Sequence, residues 1–104
     1  MKRYILNTPV LTNYGTYRFE KITVDQAKKV AHAALSAVGH QGAADALSKL
    51  LCMEIKTNRV EVKMEIGDVA LVFRLMPRLP EGAVLSGEDT LKLPYELARL
   101  ERIA

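Results

Sequence analysis

The chain has 104 residues, a length that allows one compact domain over residues 1–104 and no second. Hydrophobic residues make up 49% of it and charged residues 26%, as is typical of a globular protein. The net charge of +3 argues against a protein that coats duplex nucleic acid and favours a small anionic ligand held by a few Arg or Lys side chains. The single cysteine excludes an intrachain disulfide and indicates a reducing, cytoplasmic setting. Because no apolar run approaches ~20 residues and the first residues soon turn polar, we expect neither a membrane span nor a signal peptide.

The first 22 residues predict two strands separated by a loop. Tyr4-Ile5-Leu6 is a short apolar run, and Thr16–Ile22 alternates with β-branched and aromatic residues. Residues 7–15 between them are rich in turn formers.

Two helices are predicted next. Thr23 and Gln26 have the spacing of a capping box, and apolar residues at helical spacing extend a first helix from Val24 to Val38, where Gly39 would end it. A second helix follows almost at once, and its apolar face consists of Ala43, Leu47, Leu50 and Leu51.

Residues 59–76 predict a β-hairpin. Apolar and charged residues alternate over 59–66, and Gly67-Asp68 suits a two-residue type II′ turn before a strand over 69–76. The expected register sets Glu61 opposite Arg74, with one apolar face covered by the helices. The second face is half apolar and carries two arginines, which we interpret as a partner interface, a ligand surface, or both.

The C-terminal third is less regular. Residues 77–82 form a charged loop stiffened by prolines, and Ser86 is placed to cap a short helix over residues 87–92. Residues 94–104 fit neither the helical nor the strand period.

His40 is the strongest candidate for chemistry. It is flanked by Gly39 and by Gln41-Gly42 in the joint between the two predicted helices. Glycines let a backbone approach a ligand closely, and a helix N-terminus offers free N–H groups to an anion. The alternative is a histidine that only caps the second helix.

Other charged residues allow equally simple interpretations. Arg78 and Glu81 lie three positions apart and would form an exposed ion pair of little energetic value, while Arg59 or Arg74 would pair with Glu61. Two histidines and one cysteine without ligand spacing make a metal site improbable, and no phosphate-binding or dinucleotide-binding glycine motif is present, so we expect no cofactor.

Three separated blocks of the sequence form one pattern: Val38-Gly39-His40, Asn58-Arg59-Val60-Glu61-Val62-Lys63, and Arg78-Leu79-Pro80-Glu81-Gly82 followed by Val84-Leu85-Ser86. In this order they resemble the family of small viral ring nucleases. This family occurs in archaeal viruses and phages, with relatives in bacterial type III CRISPR loci. The opening segments Leu6-Asn7-Thr8 and Leu11-Thr12-Asn13-Tyr14-Gly15 look like the bacterial and phage branch.

The resemblance implies an activity and a fold. Family members degrade cyclic tetra-adenylate, the second messenger of type III CRISPR complexes, and viral members thereby act as anti-CRISPR proteins. The implied fold is α+β, a mixed sheet of about five strands with two main helices packed on one face, assembled as a homodimer. It also implies a last strand over residues 95–103.

The resemblance assigns the catalytic positions. His40 takes the place of the catalytic histidine, and Arg78 and Glu81 match the arginine and glutamate of a loop that closes over the ligand. Cleavage would use the ribose 2′-hydroxyl as nucleophile, with His40 as general acid and Arg78 stabilising charge on the phosphate.

The ligand-binding positions follow in the same way. Arg59 matches a basic residue of the binding surface, and Asn7, Thr8 and Asn13 lie in an N-terminal loop that contacts the ligand. Arg74 departs from some archaeal-virus members, where a neutral polar residue is expected. Two other functions remain open: a small viral DNA-binding regulator, although duplex DNA demands more basic charge than +3, and a sponge that holds the messenger uncut.

Overall fold

The computed structural model describes residues 2–7, 13–75 and 95–104. Its elements are the strands β1 (Arg3–Leu6), β2 (Tyr17–Lys21), β3 (Leu35–Ser36), β4 (Val69–Leu75) and β5 (Tyr95–Arg102), and the helices α1 (Val24–Ala31) and α2 (Gln41–Leu51).

The five strands form one mixed sheet in the order β2-β5-β4-β1-β3. β1 runs parallel to both β3 and β4, whereas β5 is antiparallel to β4 and to β2. The α+β architecture with five strands and two helices is therefore confirmed, as is the last strand that the family resemblance implied over residues 95–103.

The three central strands, β5, β4 and β1, carry buried residues on both faces of the sheet. The helices pack on one face, where Ile5, Leu71 and Phe73 lie in a core with Ala27 and Leu47. On the opposite face, which carries the alternate residues of the same strands, Val62 and Met64 from the segment before β4 pack against the sheet.

The first helix is shorter than its periodicity predicts. Its capping box is present as expected, with the Thr23 hydroxyl accepting from the Gln26 N–H at 3.2 Å. The helix ends at Ala31 because Ala33 adopts a left-handed backbone conformation with φ of 59°, and Leu35 then pairs with Tyr4 of β1. The prediction of a helix to residue 38 that Gly39 ends was wrong, since pairing with β1 outweighed the helical period.

The predicted hairpin over residues 59–76 was also wrong. β4 is a central strand whose two edges are occupied by β1 and β5, so residues 59–66 have no edge to pair with. Arg74 lies opposite Glu96 rather than Glu61. The turn lies one residue earlier than predicted: the Asp68 N–H donates to the Glu65 carbonyl at 3.0 Å, and Gly67 has φ of 92°, as in a type II turn.

Several predictions fall outside the described residues. These are the loop over residues 77–82, the short helix over 87–92 capped by Ser86, and most of the loop over 7–15.

Candidate functional site

Parallel strands bring the predicted site residues to one edge of the sheet. The carboxyl ends of β1, β3 and β4 meet there, because all three run in the same direction. Asn7 follows β1, Gly39 and His40 follow β3, and Arg74 is the penultimate residue of β4. Such an edge is the usual place for a ligand in sheets with parallel strands.

His40 is the N-cap of α2. Its backbone is extended, and its imidazole Nδ1 accepts a hydrogen bond from the Ala43 N–H at 3.3 Å. The expected position between two helices was therefore wrong, because β3 intervenes, but the position at the helix N-terminus is confirmed. The capping interpretation accounts for the contact of Nδ1. Nε2, on the other side of the ring, has no hydrogen-bond partner among the described residues.

The peptide groups of Gly39 are held by two side chains. Its N–H donates to Asn7 Oδ1 at 3.4 Å, and its carbonyl accepts from Arg59 Nε at 2.9 Å. A Cβ at this position would lie 3.2 Å from Arg59 Cγ. A side chain here would therefore crowd the Arg59 side chain, which occupies the space that the sequence suggested for a ligand.

Arg59 and Arg74 are exposed, and neither forms an ion pair within the part of the chain that the structure describes. The expected pairing with Glu61 is not found there. Glu96, the register neighbour of Arg74, lies 3.5 Å from Lys21 instead. The terminal guanidinium nitrogens of Arg59 thus remain available while its Nε anchors the side chain to Gly39.

The first turn of α2 offers further donors. The Ala43 N–H is bonded to His40 Nδ1 and the Ala44 N–H to the His40 carbonyl. The N–H groups of Gln41 and Gly42 have no acceptor within residues 2–7, 13–75 and 95–104, as is usual for the first turn of a helix. Together with the Arg59 guanidinium, they form an electropositive corner that suits a phosphate group.

The remaining predicted residues are not brought together in this way. Asn13 precedes β2, the outermost strand on the side of the sheet opposite β3. Its carbonyl accepts a hydrogen bond from the Tyr17 hydroxyl at 3.0 Å. Thr8, Arg78 and Glu81 lie outside the described residues.

Sequence reasoning missed a set of polar residues that surround this corner. The Thr57 hydroxyl donates to Gln41 Oε1 at 2.8 Å, and Gln41 Nε2 donates to Asp45 Oδ1 at 2.7 Å. The Ser36 hydroxyl donates to the Lys56 carbonyl, and Asn58 Nδ2 donates to the Ser36 carbonyl. Their proximity to Gly39 and Arg59 in the motif blocks was the only available indication.

The described ranges contain neither a cluster of metal-ligating side chains nor a helix that could cross a membrane. No group of three or more His, Cys, Asp or Glu side chains there is arranged to hold a metal ion. Within the same ranges, no helix combines the length and apolar composition needed to cross a membrane.

Comparison with known proteins identifies the family. The STIV B116-like family model matches residues 3–97. ORF117 of Acidianus two-tailed virus is 33% identical over 108 residues, covering 96% of this chain and 92% of the relative. YddF of Bacillus subtilis is 35% identical over 107 residues, covering 99% of each. Relatives therefore occur both in an archaeal virus and in a bacterium.

A solved structure shares the fold. B116 of Sulfolobus turreted icosahedral virus matches with a TM-score of 0.78 at 23% identity, over 98% of this chain and 100% of that one. The family match covers all of the candidate corner at the start of α2, from Asn7 to Arg59. The chain belongs to the STIV B116-like family.

Proposed function

We propose that this protein is a metal-independent ring nuclease. It cleaves cyclic tetra-adenylate to linear di-adenylates that end in a 2′,3′-cyclic phosphate, and it thereby switches off type III CRISPR signalling in the cytoplasm as an anti-CRISPR activity. The observation that carries the proposal is the corner at the start of α2. It collects His40 Nε2, the Arg59 guanidinium and the N–H groups of Gln41 and Gly42, which have no acceptor among the residues that the structure describes.

The corner supplies binding for a phosphodiester. The Gln41 and Gly42 N–H groups and the Arg59 guanidinium bind non-bridging phosphate oxygens, and the helix N-terminus adds a favourable electrostatic field. Arg74, exposed at the same edge, adds a further cation near the ring. Asn7 supports the site indirectly, because its Oδ1 accepts a hydrogen bond from the Gly39 N–H.

RNA carries its own nucleophile, which is why the reaction needs no metal-bound hydroxide. The ribose 2′-hydroxyl attacks the adjacent phosphorus and loses its proton to solvent water, while the bond to the departing 5′-oxygen breaks. His40, protonated on both ring nitrogens for this step, delivers the Nε2 proton to that 5′-oxygen and becomes neutral, while Arg78 and Glu81 stabilise and orient the phosphate. A homodimer would present two such sites to opposite bonds of a four-fold ring.

The test is incubation of the purified protein with cyclic tetra-adenylate in excess EDTA, with products separated by chromatography and identified by mass. Linear di-adenylate with a cyclic phosphate end is expected. A ring of deoxyadenylate, which lacks the 2′-hydroxyl, is the matched control and should remain intact. Activity that disappears in EDTA and returns only with a divalent ion contradicts the mechanism.

One observation favours a second candidate, a sponge that binds the ring uncut. A histidine whose Nδ1 caps a helix already has a structural role. The same experiment separates the two functions, since a sponge binds the ring tightly and yields no product.

A further inference from the structure

Asn58 makes two hydrogen bonds to the main chain of residues 36–38. Its backbone N–H donates to the Val38 carbonyl at 2.8 Å, and its side-chain Nδ2 donates to the Ser36 carbonyl at 2.8 Å. The side chain is half buried. Both bonds have the length of ordinary N–H···O hydrogen bonds, so Asn58 binds two carbonyls of a neighbouring segment, one through its backbone and one through its side chain.

Ser36 completes the connection from the other side. Its hydroxyl donates to the Lys56 carbonyl at 2.6 Å and accepts from the Val38 N–H at 3.4 Å. Residues 36–38 and 56–58 are therefore joined by reciprocal bonds, although residues 56–58 belong to no strand or helix. The side-chain hydrogen bonds of Ser36 and Asn58 thus link these two segments, as main-chain hydrogen bonds link neighbouring strands in a sheet.

This connection ends where the candidate site begins. Val38 leads directly into Gly39 and His40, and Asn58 directly precedes Arg59. The bond from Arg59 Nε to the Gly39 carbonyl, at 2.9 Å, is the next contact along the same two segments. The two bonds of Asn58 and the bond from Arg59 to Gly39 thus join the segment that carries Arg59 to the segment that leads into His40.

We propose that Asn58 is a positioning residue for the reaction, acting through the Ser36 and Val38 carbonyls, and this proposal rests on the ring-nuclease function proposed above. Asn58 itself touches no reacting atom. It anchors residues 36–38, the segment that leads into the imidazole that delivers the proton. Loss of that anchor displaces the imidazole from the bound phosphate and slows the bound reaction more than it weakens binding, because proton transfer is more sensitive to geometry than charge attraction is.

Two variants test the proposal. Asn58→Asp keeps the shape of the side chain and the backbone bond but places a carboxylate oxygen against the Ser36 carbonyl, and Asn58→Ala removes the side chain. Lys56→Ala is the matched control, because it deletes a longer side chain of the same segment and leaves the Lys56 carbonyl that Ser36 uses. Thermal unfolding establishes that each variant is folded.

The expected results use two independent readouts. The Arg59 Nε–H, which is bonded to Gly39 in the native protein, should exchange faster with solvent in both Asn58 variants by nuclear magnetic resonance. The single-turnover rate at saturating cyclic tetra-adenylate should fall about 10- to 100-fold, with a smaller change in the dissociation constant of the ring. Lys56→Ala should match the native protein in both.

Each outcome decides a separate point. Folded Asn58 variants with native Arg59 exchange and a native rate overturn the positioning role. If the native protein does not cleave the ring, the proposed function fails, and Arg59 exchange alone then decides whether Asn58 positions the corner. If neither variant folds, the Asn58 side-chain amide of the native protein is measured: one slowly exchanging proton supports the proposal, and two fast ones overturn it.

Discussion

The imidazole Nδ1 of His40 accepts a hydrogen bond from the backbone N–H of Ala43, 3.3 Å away. A nitrogen that accepts a hydrogen bond carries no proton, so this contact assigns the proton of a neutral ring to Nε2, on the side of the ring without a partner in the described chain. One residue thus combines a helix cap with a donor directed away from the helix. A doubly protonated ring would have to give up the cap, which links the chemistry of His40 to the order of the first turn of α2.

The two roles of His40 are separable by substitution. His40→Ala removes both, so it should abolish cleavage of cyclic tetra-adenylate while leaving tight binding of the ring to the N–H groups and Arg59. Residual cutting should be lower by about 10²- to 10⁴-fold, the usual contribution of general acid catalysis. Loss of the cap should also lower the free energy of unfolding by about 1 kcal/mol.

His40→Asn is the matched control. Asparagine is a good N-cap, so this variant should regain most of the stability that His40→Ala loses and yet remain inactive. Single-turnover kinetics and urea denaturation measure the two effects separately. A His40→Asn protein that cleaves the ring at the native rate would remove His40 from the chemistry and leave it only as a cap.

Arg59→Ala should weaken ring binding more than it slows the bound reaction. The guanidinium is exposed and lies at the phosphate-binding corner, outside the bond-breaking step. A lost hydrogen bond to a charged group is worth roughly 1.5–3 kcal/mol, which corresponds to a dissociation constant raised by about 10- to 100-fold. Calorimetry gives the binding constant, and a large rate loss at saturating ring with intact binding would contradict this division of roles.

Gly39→Ala should weaken ring binding in the same direction as Arg59→Ala, by a smaller factor. The added Cβ would lie 3.2 Å from Arg59 Cγ, so the arginine side chain has to shift by a few tenths of an ångström, which weakens its bond to the Gly39 carbonyl. Because the arginine is exposed and can move, the free energy of unfolding should change little. Ring binding by the Gly39→Ala, Arg59→Ala double variant should be no weaker than that of Arg59→Ala alone, and additive losses would show that the two residues act independently.

Local features of the sequence were sufficient to predict the helix starts. The capping box at Thr23 and the apolar face of α2 depend on residues within a few positions of one another, and both were predicted correctly. The end of α1 depends instead on the pairing of Leu35 with Tyr4, a distant partner that periodicity cannot detect. The same limit explains the wrong hairpin, since the partners of β4 are β1 and β5 rather than its immediate neighbour in sequence.

In the candidate site, too, local features could be predicted from the sequence and contacts between distant residues could not. The position of His40 at a helix start could be predicted from its neighbours, because helix caps are local. The contact between Arg59 and Gly39 joins residues 20 positions apart and arises only from the path of the segment over the sheet. Glycine at position 39 therefore suggested space for a ligand, where the structure shows space for a side chain of the same protein.

Asp68 provides a test of stability that is independent of any ligand. Its side chain is 3% exposed, and its two carboxylate oxygens accept from the backbone N–H groups of Lys2 and Glu65, each at 2.9 Å. It joins the start of β1 to the turn before β4. Burial by itself raises the pKa of Asp68, but the two N–H donors together with nearby positive charges, that of Lys2 included, outweigh it, and the pKa lies below its usual value of 3.8.

The sign of the pH dependence follows from the lowered pKa. The unfolded chain binds a proton at Asp68 more readily than the folded protein, so this carboxylate stabilises the fold above the unfolded pKa and the stabilisation is lost as the pH falls through the folded pKa. Asp68→Asn should lower the free energy of unfolding by about 1–3 kcal/mol at neutral pH, because an amide nitrogen then faces a backbone N–H. The difference in the free energy of unfolding between the two proteins should shrink below about pH 4, because the protein with Asp68 takes up a proton there and the Asp68→Asn variant has no carboxylate to protonate. Urea denaturation of both proteins across this range measures the difference, and a gap that stays constant from neutral to acid pH would show that the Asp68 charge does not contribute.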